Sequence, residues 1–230
     1  MGAVAELFWT GSYHGTTIDQ ICAKAGVRKG SFYHFFNDKA ALAEAALEAE
    51  WQRYRPQLDA LFSASVPPLE RLQSYCEFCL QEQAALEAQH GSVLGCPLCT
   101  LGTEVSNQEK GLQRQIQEIM ARGERYLETA LRDAHAAGLL DAPDAPGLAK
   151  VIHAFHLGLL TQARIRNDLG VLRDMTASTF AILRLPPPAA AKARPSRRRL
   201  RSRPRRPRAR GRKPRRPSRV RPERPLDLTV

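Results

Sequence analysis

The sequence predicts an all-α body followed by a disordered basic tail. Three observations carry this reading. Upstream of the triple proline at 186–188, apolar residues recur at helical spacing almost throughout. Strand-like alternation and Asn-Gly or Asp-Gly hairpin signals are missing from the same stretch. The charge is also divided. The 230 residues carry 35 Lys+Arg against 23 Asp+Glu, a formal +12 that taken whole suggests a nucleic-acid-binding protein. Residues 186–230 hold 18 of the basic residues and two acids, leaving 17 basic and 21 acidic residues before them. A mildly acidic body thus carries a strongly basic tail.

The elements follow in order. Ala3–Thr10 is expected as a first, short helix. Thr17 with Gln20 three residues on forms a capping box opening a second, whose apolar face is Ile18, Ile21 and Cys22. Gly26-Val27 breaks it, with Val27 expected to plug the angle, and a third helix runs from about Arg28 to Phe36 with Phe32, Phe35 and Phe36 able to face the core. Two short helices joined by a tight glycine turn make a helix-turn-helix, whose second member enters the major groove of DNA. Asn37 is placed as the cap of the next helix. Stripes then mark helices at Leu58, Leu61 and Phe62, at Leu69, Leu72, Tyr75, Cys76, Cys79 and Leu80, and over Glu109 to Ala137. Gly138 is placed as a C-cap, the 141–146 stretch as a loop, and two further helices cover Val151–Leu160 and Val171–Leu183. The tail's 10 prolines and its arginines leave nothing to bury.

The second helix of the pair has the chemistry to read DNA. Arg28, Lys29, Ser31, Tyr33 and His34 are hydrogen-bond donors, and Gly30 removes a side chain where the helix start would approach a phosphate. From Lys24 to Lys39 there are four basic residues and one acid, a local reversal of the body's sign.

The strings Gly15-Thr-Thr-Ile-Asp-Gln-Ile and Ala25-Gly-Val-Arg-Lys-Gly-Ser-Phe-Tyr-His-Phe-Phe-Asn-Asp-Lys-Ala-Ala-Leu resemble the DNA-binding domain of tetracycline-repressor-type (TetR family) regulators. Gly95-Cys-Pro-Leu, with Leu101, Glu104 and Val105 following, resembles a stretch in one branch of that family's C-terminal domain. The resemblance implies a three-helix reader at 1–46 and a helical effector-binding and dimerisation domain at 47–185; the composition sets the tail at 186–230 apart. The resemblance further implies phosphate contacts by Thr17, Tyr33 and Lys39, and base-edge readout near Arg28, Lys29, Ser31 and His34. The function implied is that of an effector-released repressor, a homodimer on a palindromic double-stranded operator, with a small-molecule effector. The dimer interface is expected on the helices carrying His153 and His156 and Val171–Leu183. The chain departs from the family in two ways. Its first helix begins close to Met1, so either the chain starts upstream or DNA is read without the basic arm that often precedes that helix. Its tail either adds sequence-independent phosphate attraction or is an unselected extension.

Cys76-Glu-Phe-Cys79 and Cys96-Pro-Leu-Cys99, 16 residues apart, match a tetrahedral zinc spacing. Cys76 and Cys79 also fall in an apolar stripe, where cysteine behaves as a small hydrophobe. Core packing, thiol sensing and metal binding all remain open. His153 and His156, one helical turn apart, are read as interface or core-edge residues with a ligand role as the alternative. No cofactor is expected, and no residue is assigned as a metal ligand outside the cysteine alternative. No G-x-S-x-G, P-loop, GxGxxG or HExxH pattern points to an enzyme. No apolar run is long enough to span a membrane, and Met1–Glu6 has neither a signal-peptide start nor a myristoylation site. With five cysteines, this suggests the reducing cytoplasm.

Overall fold

The computed structural model describes residues 7–105 and 109–188. The start expected for the first helix at Ala3, and the expected disorder of the tail from residue 189 on, lie outside them. Among the described residues there are helices and no strand. Helical residues 7–10 (α1) lead into α2 (Ile18–Ala25), α3 (Lys29–Phe35) and α4 (Lys39–Leu61). Then come α5 (Pro68–His90), α6 (Pro97–Val105), α7 (Lys110–Ala136), α8 (Ala145–Arg166), α9 (Gly170–Arg173) and α10 (Met175–Ile182).

The local signals explain most helix ends. At α2 the predicted capping box forms: Gln20 N–H donates to Thr17 Oγ1 (3.2 Å) and Thr17 N–H to Gln20 Oε1 (2.8 Å). Gly26 ends α2 in the left-handed region at φ 67°, which a residue with a Cβ enters at a cost. Several expectations need correction. Asp38, not Asn37, caps α4, accepting from Ala41 N–H at 2.8 Å. The Leu58–Phe62 stripe is the last turn of the 23-residue α4 and its C-cap. Ala137 is the C-cap of α7, and Gly138 sits one residue beyond it at φ 68°. The end of the expected 141–146 loop is already helical, because Asp144 caps α8 through Gly147 N–H (2.9 Å) and Pro146 suits the first turn. The last expected helix is divided at Asp174 into α9 and α10. Val27 plugs nothing; it is half exposed.

Helix α7 is the central strut, with α4, α5, α6 and α8 packed on it. Three apolar clusters form the interior. The first joins Phe8, Tyr13, Ile21, Phe32 and Leu42 of the N-terminal helices to Leu101 and Val105 of α6 and Leu112 and Ile116 of α7. The second holds Leu58, Phe62, Leu72, Leu127, Leu131 and Ile152. The third surrounds Cys76 with Val93, Leu160, Ala163, Leu172 and Met175.

Candidate DNA-reading surface and its link to the body

Phe32 anchors α3, only 5% exposed, and Phe36 packs against it at 5.9 Å between ring centroids. That orientation turns Arg28, Lys29, Gly30, Ser31, Tyr33 and His34 outward. Phe35 joins them at 75% exposure, so the expectation that it faces the core fails. A position three residues on is offset by about 60° around a helix, and the reader's small core already holds Phe32 and Phe36. Gly30 has open space where a Cβ would stand.

The predicted donors are not equally free. Lys29 pairs with Asp19 on α2 at 3.0 Å. The hydrogen bond that Lys29 donates to Asp19, and then the charge of that carboxylate, raise the Lys29 pKa above the usual value. Thr17 is exposed, but its hydroxyl serves the cap. Lys39 Nζ donates to Tyr13 O (2.7 Å) and Thr16 O (3.1 Å), and lies 4.3 Å from the Tyr13 ring centroid. Two of its three ammonium protons are therefore spent on holding α4 to the loop before α2.

Sequence reasoning missed the residues that bind this reader to the body. Trp9 indole N–H donates to Leu94 O (2.9 Å), and Arg164 Nη1 donates to Trp9 O (3.1 Å), Leu94 O (2.8 Å) and Thr100 Oγ1 (3.0 Å). Ser12 Oγ donates to Glu104 Oε2 (2.7 Å), and Tyr13 OH to Glu109 Oε1 (3.3 Å). Their separations of up to 155 residues leave no local pattern to detect.

The sensing candidates divide. Cys76 is core, with Sγ 3.8 Å from His156 Nε2 and 3.7 Å from Thr179 Oγ1. Burial pushes its thiol up to about 11, and that of Cys79 up to about 12. Cys99 runs the other way: a hydrogen bond from the Cys96 thiol outweighs burial and lowers it to about 7. The Thr161 hydroxyl, which also reaches Leu157 O at 2.8 Å, adds to this. Among the described residues, no three His, Cys, Asp or Glu side chains are gathered so as to hold a metal ion. The zinc-like spacing thus does not close into a metal cage there; Cys76 and Cys79 are spent on the packing of α5. His153 and His156 are both buried within this chain. His153 Nδ1 lies 3.2 Å from Glu124 Oε1, and His156 Nε2 lies 2.8 Å from Thr179 Oγ1. No helix of the described residues is long and apolar enough to cross a membrane.

Comparison with known proteins agrees with this geometry. Residues 2–46 match the family described as "Bacterial regulatory proteins, tetR family", and residues 68–178 match "Tetracyclin repressor-like, C-terminal domain". The chain is 30% identical over 147 residues to the transcriptional regulator AcuR of Cereibacter sphaeroides, spanning 64% of this chain and 64% of AcuR. It is 28% identical over 180 residues to the HTH-type transcriptional repressor NemR of Escherichia coli K12, covering 76% of this chain and 86% of NemR. Among solved structures, a regulatory protein TetR from Rhodobacter sphaeroides superposes with a TM-score of 0.69 at 27% identity, over 78% of this chain and 94% of that one. With the reader and the helical body each matched in sequence, and the whole arrangement in structure, the chain belongs to the TetR family and is a DNA-binding transcriptional regulator.

Proposed function

We propose that the protein is an effector-released repressor working as a homodimer on a palindromic operator in the cytoplasm, without enzymatic activity. The reader would occupy residues 1–46 and the effector-binding body 47–185, with the boundary running through α4. The observation that carries the reading is the outward face of α3, polar and basic but for Phe35, on a reader hydrogen-bonded to the body through Trp9, Ser12 and Arg164. A ligand that shifts α6 or α4 therefore moves α3, and by linkage DNA and effector weaken each other's binding. NemR and DhaR, the latter of Mycobacterium sp. at 25% identity over 180 residues, are both HTH-type transcriptional repressors, which supports the sign of the effect.

Dimerisation is assigned to the outer face of α8. Val151, Ala154, Gly158 and Ile165 are exposed along one stripe, Ile165 at 77%, and nothing lies within 4 Å of a Cβ built on Gly158. An apolar stripe with a glycine at its centre suits close packing of two helices. In this reading Tyr33 and Lys39 position the reader on phosphates, while Arg28, Lys29, Ser31 and His34 face base edges. The tail would add salt-dependent attraction only. Gel-shift titration on the protein's upstream promoter region tests this. Tyr33→Ala and Lys39→Ala should abolish specific binding, whereas deleting residues 186–230 should only weaken it. Retained selectivity in both point variants would overturn the assignment.

A second reading, thiol sensing, is favoured by the Cys96–Cys99 pair alone. It sits at the start of α6, the helix whose Glu104 holds Ser12 of the reader.

A further inference from the structure

A groove of about 450 Å³ opens between α4 and α7, lined by Glu48, Trp51, Gln52, Arg55, Arg122, Arg125, Tyr126 and Thr129. Three arginines there face one carboxylate, in a body that is net acidic. That carboxylate is already engaged. Glu48 accepts from Arg122 (2.7 Å), Gln115 (2.9 Å) and Gln52 (2.7 Å). Although burial opposes its charge, hydrogen bonds from Gln52, Arg122 and Gln115 hold it below the usual carboxylate range. Arg55 has a long contact to Asp59, at 3.5 Å, and reaches the Tyr126 hydroxyl, which donates to Asp59. Arg125 is exposed and makes no salt bridge among the described residues. Besides Gln52 and Thr129 the wall holds two aromatic rings: Trp51 and Tyr126 stand 6.3 Å apart, tilted by 47°.

We propose that this groove binds a small planar organic anion, an acidic headgroup on an aromatic or conjugated body. Guanidinium forks match carboxylate and phosphate oxygens bidentately, and the Arg125 fork has no ion-pair partner to displace among the described residues. The Trp51 and Tyr126 rings offer the apolar contact that a bare inorganic ion would not use. The volume lies in the range of small-ligand sites, roughly 300–1,000 Å³. The site is also distinct from the DNA-reading surface, since Arg55 lies about 24 Å along α4 from Lys39 at about 1.5 Å per residue. Resting on the regulator reading above, the same groove is the effector site, because α4 continues into the reader that Lys39 braces.

Isothermal titration of the full chain tests the site, with benzoate, phenyl phosphate, benzamide and inorganic phosphate as probes. Benzoate or phenyl phosphate should bind saturably, and the stronger of them identifies the headgroup as carboxylate or phosphate. Benzamide and inorganic phosphate should each bind at least tenfold more weakly. Arg125→Gln, at an exposed position, should cost at least tenfold in affinity with an unchanged circular dichroism melt. Equal binding of benzoate and benzamide, full affinity in Arg125→Gln, or no saturable binding of either ring-bearing anion overturns the site. Anisotropy of labelled promoter DNA, read in parallel, separates the two claims. Anion binding that depends on Arg125 but leaves DNA affinity unchanged establishes the site and overturns its effector role. Promoter DNA binding by a protein that takes up neither ring-bearing anion leaves the regulator standing and the groove refuted.

Discussion

His156 is 1% exposed, and its Nδ1 has no hydrogen-bond partner among the described residues. Around it stand Cys76, Tyr75, Phe155, Thr179 and, a turn away, His153. Burial, with a smaller contribution from His153, lowers its pKa from 6.5 to about 4. An imidazole held neutral in the fold favours the unfolded chain once the solvent protonates it. Stability is therefore whole above pH 6.5 and lost as the pH falls toward 4. The loss approaches about 3 kcal/mol at about 1.4 kcal/mol per pKa unit. Urea unfolding at pH 7 and pH 4 should show this difference in the wild type and a smaller one in His156→Gln, which keeps an amide near Thr179. An equal pH difference in both proteins would contradict it. The i, i+3 spacing of His153 and His156 was legible, but their burial was not. It depends on Glu124 and Thr179, 29 and 23 residues away. Phe35 fails for a similar reason, since one-dimensional spacing does not count the apolar positions already filled.

Helix α6 connects the two halves of the molecule. Its N-terminus carries Cys96-Pro97-Leu98-Cys99, its far end holds Ser12 through Glu104, and Leu101 and Val105 pack beneath the reader. A thiolate at Cys99 is stabilised by the Cys96 S–H and then by Thr161, while Cys76 and Cys79 are held protonated by burial. Iodoacetamide at pH 7 should therefore alkylate Cys99 first, by peptide mass spectrometry, with Cys76 and Cys79 slower by at least tenfold. Comparable rates at all three would remove the basis for thiol sensing. Among the elements, α2 was readable because Thr17 and Gly26 act within a few residues of its ends, whereas the Asp144 cap of α8 lies within a stretch that reads as loop. The 23-residue length of α4 was not readable, because Pro56 and charged residues interrupt its stripe, and tertiary contacts with α5 and α7 carry it through.

Across the molecule, the basic excess first suggested nucleic acid, yet 18 of the 35 basic residues lie in 186–230, beyond the described body. DNA reading falls instead to α3, with its phenylalanine anchor, its exposed donors and the reader's hydrogen bonds to α6 and α8. The motif strings carried the fold and the reader, because the spacing that packs a helix-turn-helix also aims its outer face. The groove between α4 and α7 left no such trace, since residues 48–55 and 122–129 meet only when the helices pack. The central claim is that two copies of α3 read one DNA site. Selection of bound sequences from a random double-stranded pool tests it most directly. The expected result is a palindrome with half-site centres about one helical turn apart, roughly 34–36 Å or a multiple of it, lost from the selected pool with Tyr33→Ala. Binding that enriches no sequence, or an identical palindrome selected by Tyr33→Ala, would contradict it.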